Sequence, residues 1–139
     1  MRVILLGGGT VGSSVARRLC NQDHEVTIIE KRDERIAFLD ENLDARILLG
    51  DATKANLLYQ AGAPSADCCF ALTGSDEVNI VAGSVAKAMG ARRVAARVFT
   101  QEFREVSSFD YRRHFNIDRL LSIEYLTAME LARRIREPG

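Results

Sequence analysis

A chain of 139 residues, 47% of them apolar, has enough material for one domain with a continuous core and too little for two. Its 19 basic residues balance its 19 acidic ones, so no global field draws it to nucleic acid or to an anionic membrane surface. The opening apolar run, Val3 to Leu6, is too short for a secretory signal, and no segment approaches the roughly 20 apolar residues of a membrane span, so the chain reads as cytosolic and not itself membrane-inserted.

Strands and helices alternate from the first residues onward. Residues 2–6 make a short continuous apolar strand, residues 11–21 a helix with Val15, Ala16 and Leu19 at helical spacing, and "EVTIIE" (25–30) a second strand. Asp33 is placed to cap a helix carrying Ile36, Leu39 and Leu43, and "RILLG" (46–50) is the third strand. A short helix around Leu57 to Ala61, a break at "GAPSA" (62–66), the strand "CCFAL" (68–72) and a helix from about Glu77 to Met89 follow. The rest reads as the strand "RVAARV" (93–98), one helix over Glu102 to His114, the strand "RLLS" (119–122) and a last helix to about Arg136. On that last helix Ile123, Leu126, Met129 and Ile135 form an apolar stripe that either closes the core or docks on a partner.

The strands are mostly apolar throughout rather than alternating, as happens when helices cover both faces of a parallel sheet. The fold class is therefore α/β: a Rossmann-like, doubly wound, six-stranded parallel sheet with helices on both faces, in one domain. Cys20, Cys68 and Cys69 have no metal-ligand spacing, and neighbouring Cys68 and Cys69 point to opposite faces of a strand, so all three read as small buried apolar residues.

Gly7, Gly9 and Gly12 give G-x-G-x-x-G directly after a strand and at the start of a helix. In that context Gly7 permits the tight turn, Gly9 lets a pyrophosphate approach the backbone and Gly12 allows helix to pack closely on strand. The helix N-terminus offers N–H donors and a partial positive charge, with Gly8, Thr10 and Val11 completing the loop. Glu30 ends the second strand about 20 residues on, where a carboxylate accepts hydrogen bonds from an adenosine ribose and repels a 2′-phosphate. NAD(H) is favoured over NADP(H), but ATP and ADP carry the same ribose hydroxyl and remain possible.

Ligands in such sheets lie across the carboxyl ends of the strands. Asp51 falls there and either faces the adenosine end or caps the next turn. Thr73 and Gly74 offer a hydroxyl and backbone groups near the middle of a dinucleotide, and Arg97 is placed to pair with the pyrophosphate. Asp76 and Asn79 read as helix-capping residues.

A dehydrogenase also needs a proton donor or acceptor by the nicotinamide. The residues four after Tyr59, Tyr111 and Tyr125 are Ala63, Phe115 and Met129, so the Tyr-x-x-x-Lys pair is missing, and His24 and His114 read as surface residues. The sequence points to a nucleotide site without catalytic residues and without a metal. The competing reading is a small NAD-dependent oxidoreductase, or the cofactor domain of a dehydrogenase.

The segments "ILLGGGTVGSSVA" (4–16), "IIE" (28–30), "LLGDAT" (48–53), "ALTGSDEVNIVA" (71–82), "ARV" (96–98) and "IDRLLSIEYLTAMELARRIREPG" (117–139) carry a resemblance across the whole chain. Together they resemble the RCK, or TrkA-N, family: N-terminal nucleotide-binding domains of regulatory subunits of bacterial Trk-type potassium uptake systems. The resemblance implies a ligand sensor that binds NAD(H), or in some members ATP or ADP. It implies a homo-oligomer, dimer or ring, docking beneath a TrkH-type membrane potassium transporter subunit, cytoplasmic and peripheral to the inner face of the membrane. The contacts it implies are Gly7, Gly8, Gly9, Thr10, Val11, Glu30, Thr73, Gly74 and Arg97. Many ATP-preferring members carry an arginine inside the glycine loop where this chain has Thr10 and Val11, which favours NAD(H). Members typically continue past the position of "EPG", so residues 1–139 are expected to be one domain of a longer regulatory subunit or a single-domain relative.

Overall fold

The computed structural model describes residues 1–122. In chain order the elements are β1 (Arg2–Leu6), α1 (Thr10–Asn21), β2 (Glu25–Glu30), α2 (Asp33–Asn42), β3 (Arg46–Leu49), α3 (Ala55–Gln60), a 3₁₀ turn (Ala63–Ser65), β4 (Cys68–Ala71), α4 (Asp76–Met89), β5 (Arg93–Arg97), α5 (Gln101–Arg104), α6 (Tyr111–His114) and β6 (Arg119–Leu121). The six strands form one sheet in the order β3-β2-β1-β4-β5-β6, every neighbouring pair parallel. This is the expected doubly wound sheet. The order reverses between β1 and β4, the switch point where a crevice opens at the strand ends.

Register places Ile29, Leu6, Ala71 and Ala96 in one row across the sheet. The next residues, Glu30, Gly7, Leu72 and Arg97, therefore stand at one level along the carboxyl edge of the sheet. That row is the floor on which the site is built.

Alternate strand residues feed two cores, as the two-residue period of a strand requires. Ile4, Leu6, Ile29, Cys69, Ala71 and Val94 pack with Leu58, Ile80 and Ala86 on one face, while Val3, Leu5, Ile28, Cys68 and Phe70 pack with Val15, Leu19 and Leu39 on the other. Cys68 and Cys69 do lie on opposite faces, both buried, and burial pushes the Cys69 thiol up to about 12.

Two local expectations are corrected. Residues 102–114 are not one helix: Glu105 leaves α5 in extended backbone (φ −80°, ψ 139°), and the Asp110 carboxylate accepts from the Arg113 N–H at 3.1 Å to start α6 afresh. Nor does Asp33 cap α2, because Arg32 occupies the capping position and Asp33 is already inside the first turn. The apolar stripe from Ile123 to Ile135 lies outside the described residues.

Candidate functional site

The crevice at the switch point is a cleft of about 660 Å³. Of the residues singled out from sequence, Gly7, Gly9, Thr10, Val11, Glu30, Asp51, Thr73, Gly74 and Arg97 line it, and Gly8 and Gly12 do not. Gly7 turns with φ at +102°, and a Cβ there would meet the Thr73 backbone at 3.1 Å. Gly12 sits so close to the turn that a Cβ would be 2.0 Å from the Gly7 carbonyl oxygen. Above Gly9 the nearest atom to such a Cβ is Arg32 Nη2 at 3.4 Å, so the backbone there is open to approach. Gly9 holds the capping position of α1 and no side chain caps that helix, leaving its leading N–H groups to a ligand or water.

Glu30 is buried at the end of β2 with both carboxylate oxygens in use. Oε1 accepts from the Gly8 N–H at 2.8 Å and Oε2 from the Arg32 N–H at 2.7 Å, with Arg32 Nε at 3.5 Å. Burial raises this carboxyl, but the N–H groups of Arg32 and Gly8 and the Arg32 charge outweigh it and hold the group below its ordinary value. Oε1, with a single donor, keeps a second lone pair, so the carboxylate can still accept from a ligand hydroxyl. Lys31 and Arg32 stand at the rim.

Asp51 Oδ1 accepts from the Thr53 N–H at 2.9 Å and from Thr53 Oγ1 at 2.8 Å, so it caps the turn after β3 and also borders the cleft. These two bonds hold its carboxyl below the usual range.

The wall opposite the glycine turn rests on two residues expected only to cap α4, and this is a correction. Ser75 does the capping, accepting from the Val78 N–H at 3.2 Å. Asn79, fully buried, accepts from the Thr73 N–H at 2.9 Å and from Thr73 Oγ1 at 2.6 Å, and donates to the carbonyls of Thr73 at 3.1 Å and Arg97 at 2.8 Å. Asp76 accepts from the N–H groups of Phe99 and Thr100, both at 2.8 Å. Burial raises its carboxyl, and those two N–H groups with the nearby Arg97 charge overcome that and lower it. The α4 N-terminus thus ties the β4 exit to the β5 exit. Sequence held one signal for this: Asp76 and Asn79 share a stripe with Gly83 and Ala86, all buried, and a polar residue on a buried stripe needs buried partners.

Arg97 donates from Nη2 to the Thr73 carbonyl at 2.9 Å and lies over the Phe99 ring at 4.5 Å from its centroid. Its Nε is buried without a partner. Burial pulls the guanidinium down from its ordinary value and Asp76 opposes that. Among the described residues, no group of His, Cys, Asp and Glu side chains is arranged to hold a metal, and no helix is long and apolar enough to cross a membrane.

The profile of the TrkA-N domain family matches residues 3–110. The chain belongs to the TrkA-N family. TrkA-N domains are nucleotide-binding, generally non-catalytic regulatory domains of potassium transport systems. A Trk system potassium uptake protein TrkA of Haemophilus influenzae is 33% identical across all of this chain, which covers 31% of that protein. A TrkA homolog of Archaeoglobus fulgidus is 37% identical over the same full span, again 31% of its length. The chain thus spans about a third of the length of these relatives. Among solved structures, the TrkA-N domain of the inner membrane protein ybaL from Escherichia coli has a TM-score of 0.76 at 19% identity, covering 97% of this chain and 96% of that one. A GsuK channel bound to NAD has a TM-score of 0.72 at 16% identity over 87% of this chain and 21% of the channel chain. The same channel bound to ADP gives 0.71 at 16% over 86% and 30%. At such identities the structures agree in fold.

Proposed function

We propose that this TrkA-N domain binds NAD(H) as a regulatory ligand and, within a homo-oligomeric subunit at the cytoplasmic face of the membrane, conveys its occupancy to a Trk-type potassium transporter. The observation that carries this reading is the convergence of the glycine turn and the Glu30 carboxylate on one cleft at the switch point. The α1 N-terminus, Gly9 and Arg97 would hold the pyrophosphate, Glu30 the adenosine ribose, the Asp51 side the adenosine end, and Thr73 and Gly74 the middle of the dinucleotide. The NAD- and ADP-bound GsuK structures share this fold and support the ligand class, and the names of the TrkA relatives support the transporter.

A sensing role also fits the chemistry of the lining. Its carboxylates, Glu30 and Asp51, are held ionised below their ordinary range and make poor proton donors at neutral pH. A bound nucleotide acts on the transporter only as far as it binds one arrangement of the oligomer better than another. Titration calorimetry with NAD⁺, NADH, ATP and ADP tests the proposal: saturable binding with NAD(H) tightest is expected, and no heat with any of the four would refute it.

A further inference from the structure

Gly8 does not line the cleft, yet both of its polar backbone atoms are held from outside the turn. Its N–H donates to Glu30, and its carbonyl accepts from two nitrogens of one guanidinium, Arg35 Nε at 3.1 Å and Nη2 at 2.8 Å. Arg35 belongs to α2, 27 residues along the chain, and is kept in place by stacking over Phe38 at 4.4 Å. Leu39, on the same helix, packs beneath Gly8 so closely that a Cβ there would meet its Cδ1 at 2.5 Å.

Three consecutive glycines have the widest backbone freedom of any tripeptide, and an unheld turn would surrender that freedom on binding phosphate. The direction of the Gly8 peptide also matters. A carbonyl oxygen swung into the cleft would face the phosphate oxygens, acceptor against acceptor, whereas a cation outside the cleft draws it away. From these contacts we infer that Arg35 is a positioning residue: its forked donation to the Gly8 carbonyl fixes the glycine turn in the form that receives the ligand's phosphates, without touching the ligand. The inference rests on the nucleotide reading of the cleft. Arginine suits the task because its planar fork sets two donors on one acceptor, which a lysine ammonium does not reproduce.

The test compares the 139-residue chain with its Arg35→Met and Arg35→Lys variants. ADP and phosphate-free adenosine are the calorimetric probes, and Gly8 amide exchange is followed by NMR without ligand. Arg35→Met is expected to weaken ADP by ~10-fold, to leave adenosine within about twofold, and to speed Gly8 exchange by ~10-fold as the turn loosens. Arg35→Lys, which keeps the charge, should recover only part of the ADP loss. Unchanged ADP affinity in Arg35→Met, full recovery with lysine, equal losses for ADP and adenosine, or unchanged Gly8 exchange would each overturn the inference. If the unaltered chain binds neither ADP nor adenosine, the reading of the cleft fails by itself, and Gly8 exchange still decides whether Arg35 holds the turn.

Discussion

Asn79 concentrates more structure than any other single side chain near the cleft. Its amide makes four hydrogen bonds in a fully buried position, three to Thr73 and one to the Arg97 carbonyl. Removing it takes this partner from the Thr73 N–H and the Arg97 carbonyl, while the Thr73 carbonyl keeps the Arg97 guanidinium. Asn79→Ala is therefore expected to cost roughly 2–4 kcal/mol in urea unfolding, since each unsatisfied buried group costs about 1–3 kcal/mol and the losses overlap. A change within experimental error would show that water replaces the amide. Asp76 predicts a pH effect. Its folded carboxyl titrates below its ordinary value of 3.8, as Glu30 does below 4.5, so each contributes stability that is full above those values and is lost as pH falls through the lower folded ones. Urea midpoints should fall from pH 5 to pH 3, and Asp76→Asn should flatten that fall while lowering stability at pH 7. An equally steep acid loss in the variant would remove Asp76 from the account.

At the scale of elements, the glycine turn and α1 are one unit. A methyl at Gly12 has no space, because its Cβ position lies 2.0 Å from the Gly7 carbonyl oxygen. Gly12→Ala must push α1 away from the turn that precedes it, an overpacking cost of about 1–3 kcal/mol, and should lower nucleotide affinity although Gly12 lines no part of the cleft. Wild-type affinity and stability together in that variant would contradict the packing argument. The elements also mark the limit of local reading. Mostly apolar stretches of four to six residues marked the strands, as expected where helices cover both faces of the sheet. The segment 102–114 departs from the single expected helix because the new cap at Asp110 and the edge-to-face contact of Phe103 with Tyr111 at 4.9 Å fold it back as two short helices.

Over the whole molecule, the site is a product of topology. Gly7 and Glu30 come together because β1 and β2 pair in register, and Thr73 joins them because β4 pairs with β1 on the other side. A ligand spanning that crevice ties both halves of the sheet. Saturating nucleotide, at about 100 times its dissociation constant, is expected to add about 2.7 kcal/mol and raise the melting temperature by roughly 5–10 °C. A scan unmoved by ligand that calorimetry shows to be bound would mean that the unfolded chain binds it equally.

The sequence by itself determined the fold class, the succession of strands along the chain, the glycine turn and the acidic strand end. Each rests on local chemistry: hydrophobic period, glycine's backbone freedom, and a carboxylate set at a fixed distance from a loop. Only tertiary structure decided what Asp76, Asn79 and Arg35 do. In one dimension the first two look like helix caps, and nothing local singles out the third. Their partners, Phe99 and Thr100, Thr73 and Arg97, and Gly8, lie up to 27 residues away and come within hydrogen-bonding reach only when parallel strands pair and helices close over them.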